Sequence, residues 1–161
     1  MESFPHAASG LSNIIHPTTV KEAFRYSSKL RYEDRRELMA TGIHPMVALP
    51  LSVGLTADPI KFVNYDGTIA GFAGVVDEGA GVGRVWMLCT EAVEQMPTRL
   101  VKGAKLWLDS LPFQMLHNHA DPRNKMHLKL LHILGFKRLS YIPVGPKQLT
   151  FVEFAKLCAN R

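Results

Sequence analysis

Between Pro59 and Cys89 the apolar residues recur with period two, and turn signals follow one another too closely for anything but consecutive antiparallel strands. Ile60 and Phe62 sit in an alternating run, Asp66-Gly67 follows, and Thr68 to Val76 continues as a strand. Asp-Gly supplies the positive φ that a two-residue hairpin turn demands, so a hairpin is predicted there. Asp77 to Gly83 (DEGAGVG) is the next turn and Arg84 to Cys89 (RVWMLC) a third strand. A parallel pair needs a crossover of a dozen or more residues, so this stretch is a meander. Neither an all-helical bundle nor a wholly parallel sheet can contain it. Gly79, Gly81 and Gly83 have the spacing of a phosphate-cradling loop, but such a loop must lead from a strand into a helix. Here a strand follows, and the glycines read as turn residues.

Helical patterns lie on both sides of the meander. Ser12 to His16 is a short strand stopped by Pro17, and Thr18 or Thr19 with Glu22 caps a helix over Val20 to Lys29. A second helix starts near Tyr32, carries Glu33, Asp34 and Glu37 early, where acids suit the helix dipole, and ends at Gly42. His44 to Leu55 is either a short helix or a buried connector. Pro97 opens an amphipathic helix with Leu100, Ala104 and Leu108 on one face, which ends at Pro112; Gly103 inside it suits close packing. Met115 to Ala120 is a strand, Asn124 to Leu134 a helix closed by Gly135, and Phe136 to Ile142 with Leu149 to Phe154 a last strand pair. The order is mixed α/β, an α+β arrangement of six to seven mainly antiparallel strands and about four helices. Residues 1–11 read as an arm, and 12–161 as a single domain.

Charge divides unevenly. Residues 1–98 hold 8 basic and 11 acidic side chains, whereas residues 99–161 hold 11 basic and 3 acidic. The second part is therefore where an anionic ligand belongs. Its basic residues are not interleaved with aromatics, which argues against nucleic acid. Cys89 and Cys158 form no C-x-x-C pair, so a zinc or redox motif is not expected. The longest apolar stretch, Met46 to Leu55, falls well short of the ~18 residues of a membrane span.

Few residues carry chemistry. His117 and His119 share a strand face, but no third ligand accompanies them and no metal is expected. Glu91 follows the central strand, and His127 falls at the strand-to-helix junction. The helix start Met96-Pro97-Thr98-Arg99 presents backbone N–H groups and the positive dipole end, with Lys102 nearby.

The order of elements, together with Asn124-Lys-Met-His127-Leu-Lys-Leu-Leu131 leading to Gly135-Phe136, resembles the GNAT superfamily of acyl-CoA-dependent N-acetyltransferases. The segments IIHPTTVKEAF, LRYEDRREL and GVGRVWMLCTEAV look like a phage branch of it, the putative-acetyltransferase and internal virion protein A group. The resemblance spans about residues 12–154. It implies acetyl-CoA as cosubstrate, no metal, and an amine acceptor on a small molecule or a protein. It also implies backbone amides at Leu88, Cys89 and Thr90 polarising the thioester, and Thr98, Arg99 and Lys102 near the coenzyme. Where the superfamily has a glycine loop for the pyrophosphate, this chain has Arg99-Leu-Val-Lys-Gly103-Ala104; at the place of the usual tyrosine acid it has Leu131. Glu91 is then the expected base, His127 the substitute acid, and Asn124 matches the family's asparagine. The alternative is a catalytically silent copy of the fold with a virion or host protein as partner. The phage resemblance implies the host cytoplasm or the virion as its location.

Overall fold

The computed structural model describes residues 13–158, so the arm expected over 1–11 lies outside the described residues. The meander is present as β2 (Ile60–Val63), β3 (Ile69–Gly79) and β4 (Val82–Cys89), paired antiparallel in series. Its first turn differs from the two-residue expectation. Tyr65, Asp66 and Gly67 together form the loop, with Gly67 N–H donating to Asn64 O at 3.0 Å and Asn64 N–H to Thr68 O at 2.9 Å. Gly67 takes φ +82° at the third loop position, the left-handed place that a three-residue hairpin reserves for glycine. The second turn is the two-residue form, Ala80 and Gly81 both having positive φ, and a strand rather than a helix follows it.

Before the meander come β1 (Ile15–Pro17), α1 (Val20–Tyr26), α2 (Tyr32–Thr41) and α3 (Pro45–Leu55). Thr19 caps α1 by accepting from Glu22 N–H at 3.2 Å. The stretch left open in the sequence is a full helix, α3, which makes five α-helices among the described residues where about four are expected. Pro45 takes its first turn, where a missing N–H costs nothing, and His44 Nδ1 accepts from Met46 N–H at 3.1 Å. Pro50 removes one internal bond, offset by burial of Ala48, Leu49 and Val53. After β4 come a 3₁₀ segment over Glu91–Gln95, α4 (Pro97–Ser110), β5 (Met115–Ala120), α5 (Lys125–Ile133), β6 (Lys137–Val144) and β7 (Leu149–Leu157). Gly103 lets α4 press on the chain entering β1: a Cβ there would lie 2.8 Å from Ile14 Cγ2.

The sheet runs β1-β2-β3-β4-β5-β7-β6 and is antiparallel except between β4 and β5. One face packs Phe62, Val85, Leu116 and Phe154 against Leu100 and Trp107 of α4 and Leu131 of α5. The other packs Phe72 and Leu88 against Ala23 of α1 and Leu49 and Val53 of α3.

The parallel pair is the irregular one. β4 and β5 are in register only at Val82 with Met115, Gly83 with Leu116 and Arg84 with His117. Beyond that β4 continues to Cys89 bonded to β3 alone, and β5 to Ala120 bonded to β7 alone. Asn118 Nδ2 donates to Val85 O at 2.8 Å where the strands part. A wedge opens in the middle of the sheet.

The β6–β7 turn rests on the end of α2. Gly145 has φ +76°, and a Cβ there would stand 1.9 Å from Ala40 O. Gly145→Ala is expected to cost about 2 kcal/mol or more, from left-handed strain and overpacking together. Urea denaturation checks this, and an unchanged midpoint contradicts it.

Candidate active site

The wedge is closed at its far end by the start of α2. Arg31 N–H donates to Cys89 O at 2.8 Å, and Cys89 N–H donates to Asp34 Oδ2 at 2.8 Å. A side chain thus finishes the hydrogen bonding that a neighbouring strand would otherwise supply. Asp34, 4% exposed, also accepts from Arg31 Nη1 at 3.3 Å and, on Oδ1, from Asn124 Nδ2 at 2.8 Å. One turn further along α2, Glu37 Oε2 accepts from the same Asn124 amide at 3.0 Å and lies 3.6 Å from His127 Nδ1. Arg31, Asp34 and Glu37 are spaced to share one helix face. They meet Asn124 and His127 across the gap between the strands.

This cluster is nearly dry. Arg31 and Asp34 side chains are 3% and 5% exposed, Glu37 and His127 14% and 13%. Burial raises the Asp34 carboxyl above its usual value, opposed by His127 and Arg31. Burial pulls the His127 imidazole down, yet Glu37, with Asp34 behind it, outweighs that and holds the group above the ordinary histidine value. Burial, with Asp34 adding, pushes the Cys89 thiol far up, so it stays protonated and packs as core. Arg31 and His127 thus face Asp34 and Glu37 from opposite sides of the cluster.

A cavity of about 350 Å³ runs along the wedge, lined by Leu51 and Leu55 of α3, Trp86 and Met87 of β4, and Trp107 and Leu131 from the opposite face. Glu37 and His127 are part of its wall.

The site residues expected from sequence are distributed as follows. Asn124 and His127 stand together in the cluster. Leu88, Cys89 and Thr90 lie on the reach of β4 that has left β5 and just past it, but the polar groups of the last two are engaged: Cys89 N–H by Asp34, Thr90 N–H by Ala70 O and the Thr90 hydroxyl by Ile69 O. Glu91 opens the 3₁₀ segment with its side chain exposed. Thr98 and Lys102 are exposed on α4. The Arg99 guanidinium is committed elsewhere, donating to Val63 O and Asn13 O and stacking 4.2 Å from the Tyr65 ring centroid. Asp34 and Glu37 were missed as site residues, because acids early in a helix have a sufficient reason in the dipole. The readable signal was Arg31, Asp34 and Glu37 recurring at one-turn spacing.

His117 Nε2 contacts Glu78, whose other oxygen lies 3.6 Å from Arg84 Nη2. His119 turns its ring edge to Phe151. Among the described residues no group of three or more His, Cys, Asp or Glu could hold a metal ion, and no single helix is long and apolar enough to cross a membrane.

No protein-family model matches the sequence, and no curated protein matches it. Solved structures do match the fold. An acetyltransferase of the GNAT family from Streptococcus pneumoniae superposes with TM-score 0.62 at 15% identity, over 91% of this chain and 99% of that one. The ribosomal-protein-S5-alanine acetyltransferase from Vibrio fischeri gives 0.62 at 14% identity, over 91% and 93%. AAC(6')-Ib in complex with ribostamycin and coenzyme A gives 0.63 at 15% identity, over 89% and 92%. The chain has the fold of the GNAT acetyltransferases.

Proposed function

We propose that this protein transfers an acyl group from an acyl-coenzyme A to an amine, with His127 handling the proton. The observation that carries this reading is the wedge between β4 and β5, with a buried Asp34–Asn124–Glu37–His127 cluster at its end. The coenzyme supplies the acyl group as an activated thioester. One feature of the chain fits its thioester arm: the cavity is mostly apolar. The pyrophosphate end has less to hold it. Pro97 contributes no N–H to the first turn of α4, Glu91 and Glu94 precede it, and Arg99 is engaged.

His127 carries the proton and Glu37 orients its ring through Nδ1. The attacking amine must lose a proton and the departing sulfur must gain one. His127 gives its proton to the sulfur and takes the proton of the amine, so the cluster has the same charge before and after. Glu37 and Asp34 act through His127 as positioning residues.

A second reading is favoured by one observation, that Cys89 N–H is already bonded to Asp34 and is not free to polarise a carbonyl. On that reading the fold is a catalytically silent copy in a phage virion or bound to a host partner, in line with the phage-like sequence segments. Calorimetric titration with coenzyme A, followed by thiol release from acetyl-CoA with a panel of amines, separates the two. Weak but saturable binding and amine-dependent thiol release are expected. No heat at millimolar coenzyme and no thiol release would leave only the silent reading.

A further inference from the structure

We infer that the acceptor is a monoamine carrying an apolar aliphatic or aromatic body, and that the mouth formed by α3 selects it. The inference rests on the acyl-transfer reading for its chemistry, and on the cavity alone for its selectivity. The cavity opens to solvent on the α3 side. Its lining residues Ile43, Leu51 and Leu55 are 41%, 48% and 62% exposed, whereas Trp107 and Leu108 on the α4 side are 9% and 4% exposed. Val47, 57% exposed one turn before Leu51, extends the same apolar stripe. A helix that shows leucines to water beside a cavity offers them to an apolar body.

Charge points the same way. Among the described residues the one carboxylate in the cavity wall is Glu37, already engaged by Asn124 and His127. Besides His127 the wall carries one cation, Arg84, half exposed beside Glu78 at the end where the strands begin to part. A polyamine or an aminoglycoside brings several ammonium groups, each needing a carboxylate to leave water. The wall has none to spare. A single amine meets only the Glu37–His127 pair, while its apolar body is covered by Leu51, Leu55 and Trp86.

The test uses 2-phenylethylamine against spermidine and ribostamycin. Trp86 and Trp107 line the cavity, so binding is read by tryptophan fluorescence without any turnover, and transfer by thiol release from acetyl-CoA. Phenylethylamine is expected to change the fluorescence saturably and to exceed both polycations in kcat/KM by about tenfold or more. Leu51→Glu, a change at an exposed position, is expected to weaken phenylethylamine about tenfold and to improve spermidine. Spermidine or ribostamycin binding as well as phenylethylamine overturns the inference and leaves acyl transfer standing. Selective phenylethylamine binding with no transfer to any amine sustains the apolar pocket and removes the acyl-transfer reading. Phenylethylamine without effect on the fluorescence overturns the inference whatever the enzyme does.

Discussion

His127→Gln is expected to lower acyl transfer by about 10²–10⁴-fold while leaving coenzyme affinity and the folded state in place, because a positioned proton carrier acts on the transition state and not on bound phosphates. Glutamine keeps much of the shape and a polar end toward Glu37, so the loss is chemical. Glu37→Gln tests the same pair from the other side. It removes the charge that holds His127 above the ordinary histidine value, and burial then takes over and moves the group down. The sign for stability follows. A histidine whose folded value is raised stabilises the fold fully below about pH 6.5, and loses that contribution as pH rises through the folded value. Melting temperature in the parent should therefore fall more steeply above neutral pH than in His127→Gln. Glu91→Gln separates the structural site from the sequence expectation: with its side chain exposed and outside the cluster, Glu91 should leave turnover within a few-fold of the parent. A large loss in Glu91→Gln with full activity in His127→Gln would reverse the assignment.

Asp34→Ala should destabilise the protein by about 3 kcal/mol, a fall of roughly 6–12 °C in melting temperature for a chain of this size. The substitution strips a buried partner from Arg31 and leaves Cys89 N–H without an acceptor. Glu33 at 3.3 Å and Glu94 at 3.9 Å still offset Arg31, which keeps the loss at the lower end for a broken buried pair. Asp34→Asn retains an acceptor for Cys89 and lacks a charge that burial disfavours, so it should cost less. Glu33→Ala, at a 39% exposed carboxylate, should cost under about 1 kcal/mol. Equal melting temperatures for Asp34→Ala and Glu33→Ala would mean that the segment 30–34 does not hold the end of β4.

Legibility in the sequence followed the range of the interaction. The Pro97 start and the Gly135 stop depend on a few neighbouring residues and stand where the sequence placed them, whereas the turn expected over Asp77 to Gly83 narrows to Ala80-Gly81 and the cap left between Thr18 and Thr19 is Thr19. The Asp66-Gly67 turn was found but given one residue too few, since the same pair serves a two-residue and a three-residue loop and only the register of β2 on β3 chooses. Helix α3 was left open because Pro50 argues against a helix locally while burial of Leu49 and Val53 decides for one. Asn124 and His127 were singled out through the resemblance to the GNAT superfamily and their place at the start of the helix after β5.

Their partners were not. Asn124 meets Asp34 across 90 positions and Glu37 across 87, and no local pattern records which two helices face each other over a gap in a sheet. The residue sequence by itself determined the meander, the flanking amphipathic helices and their order. That β4 and β5 separate after three paired positions, that an aspartate caps the freed edge, and that a glutamate from the second helix stands 3.6 Å from His127 were decided by the tertiary structure. The physical reason is that an ionisable group takes its charge from what surrounds it once water is gone, and those surroundings exist only after the chain has closed.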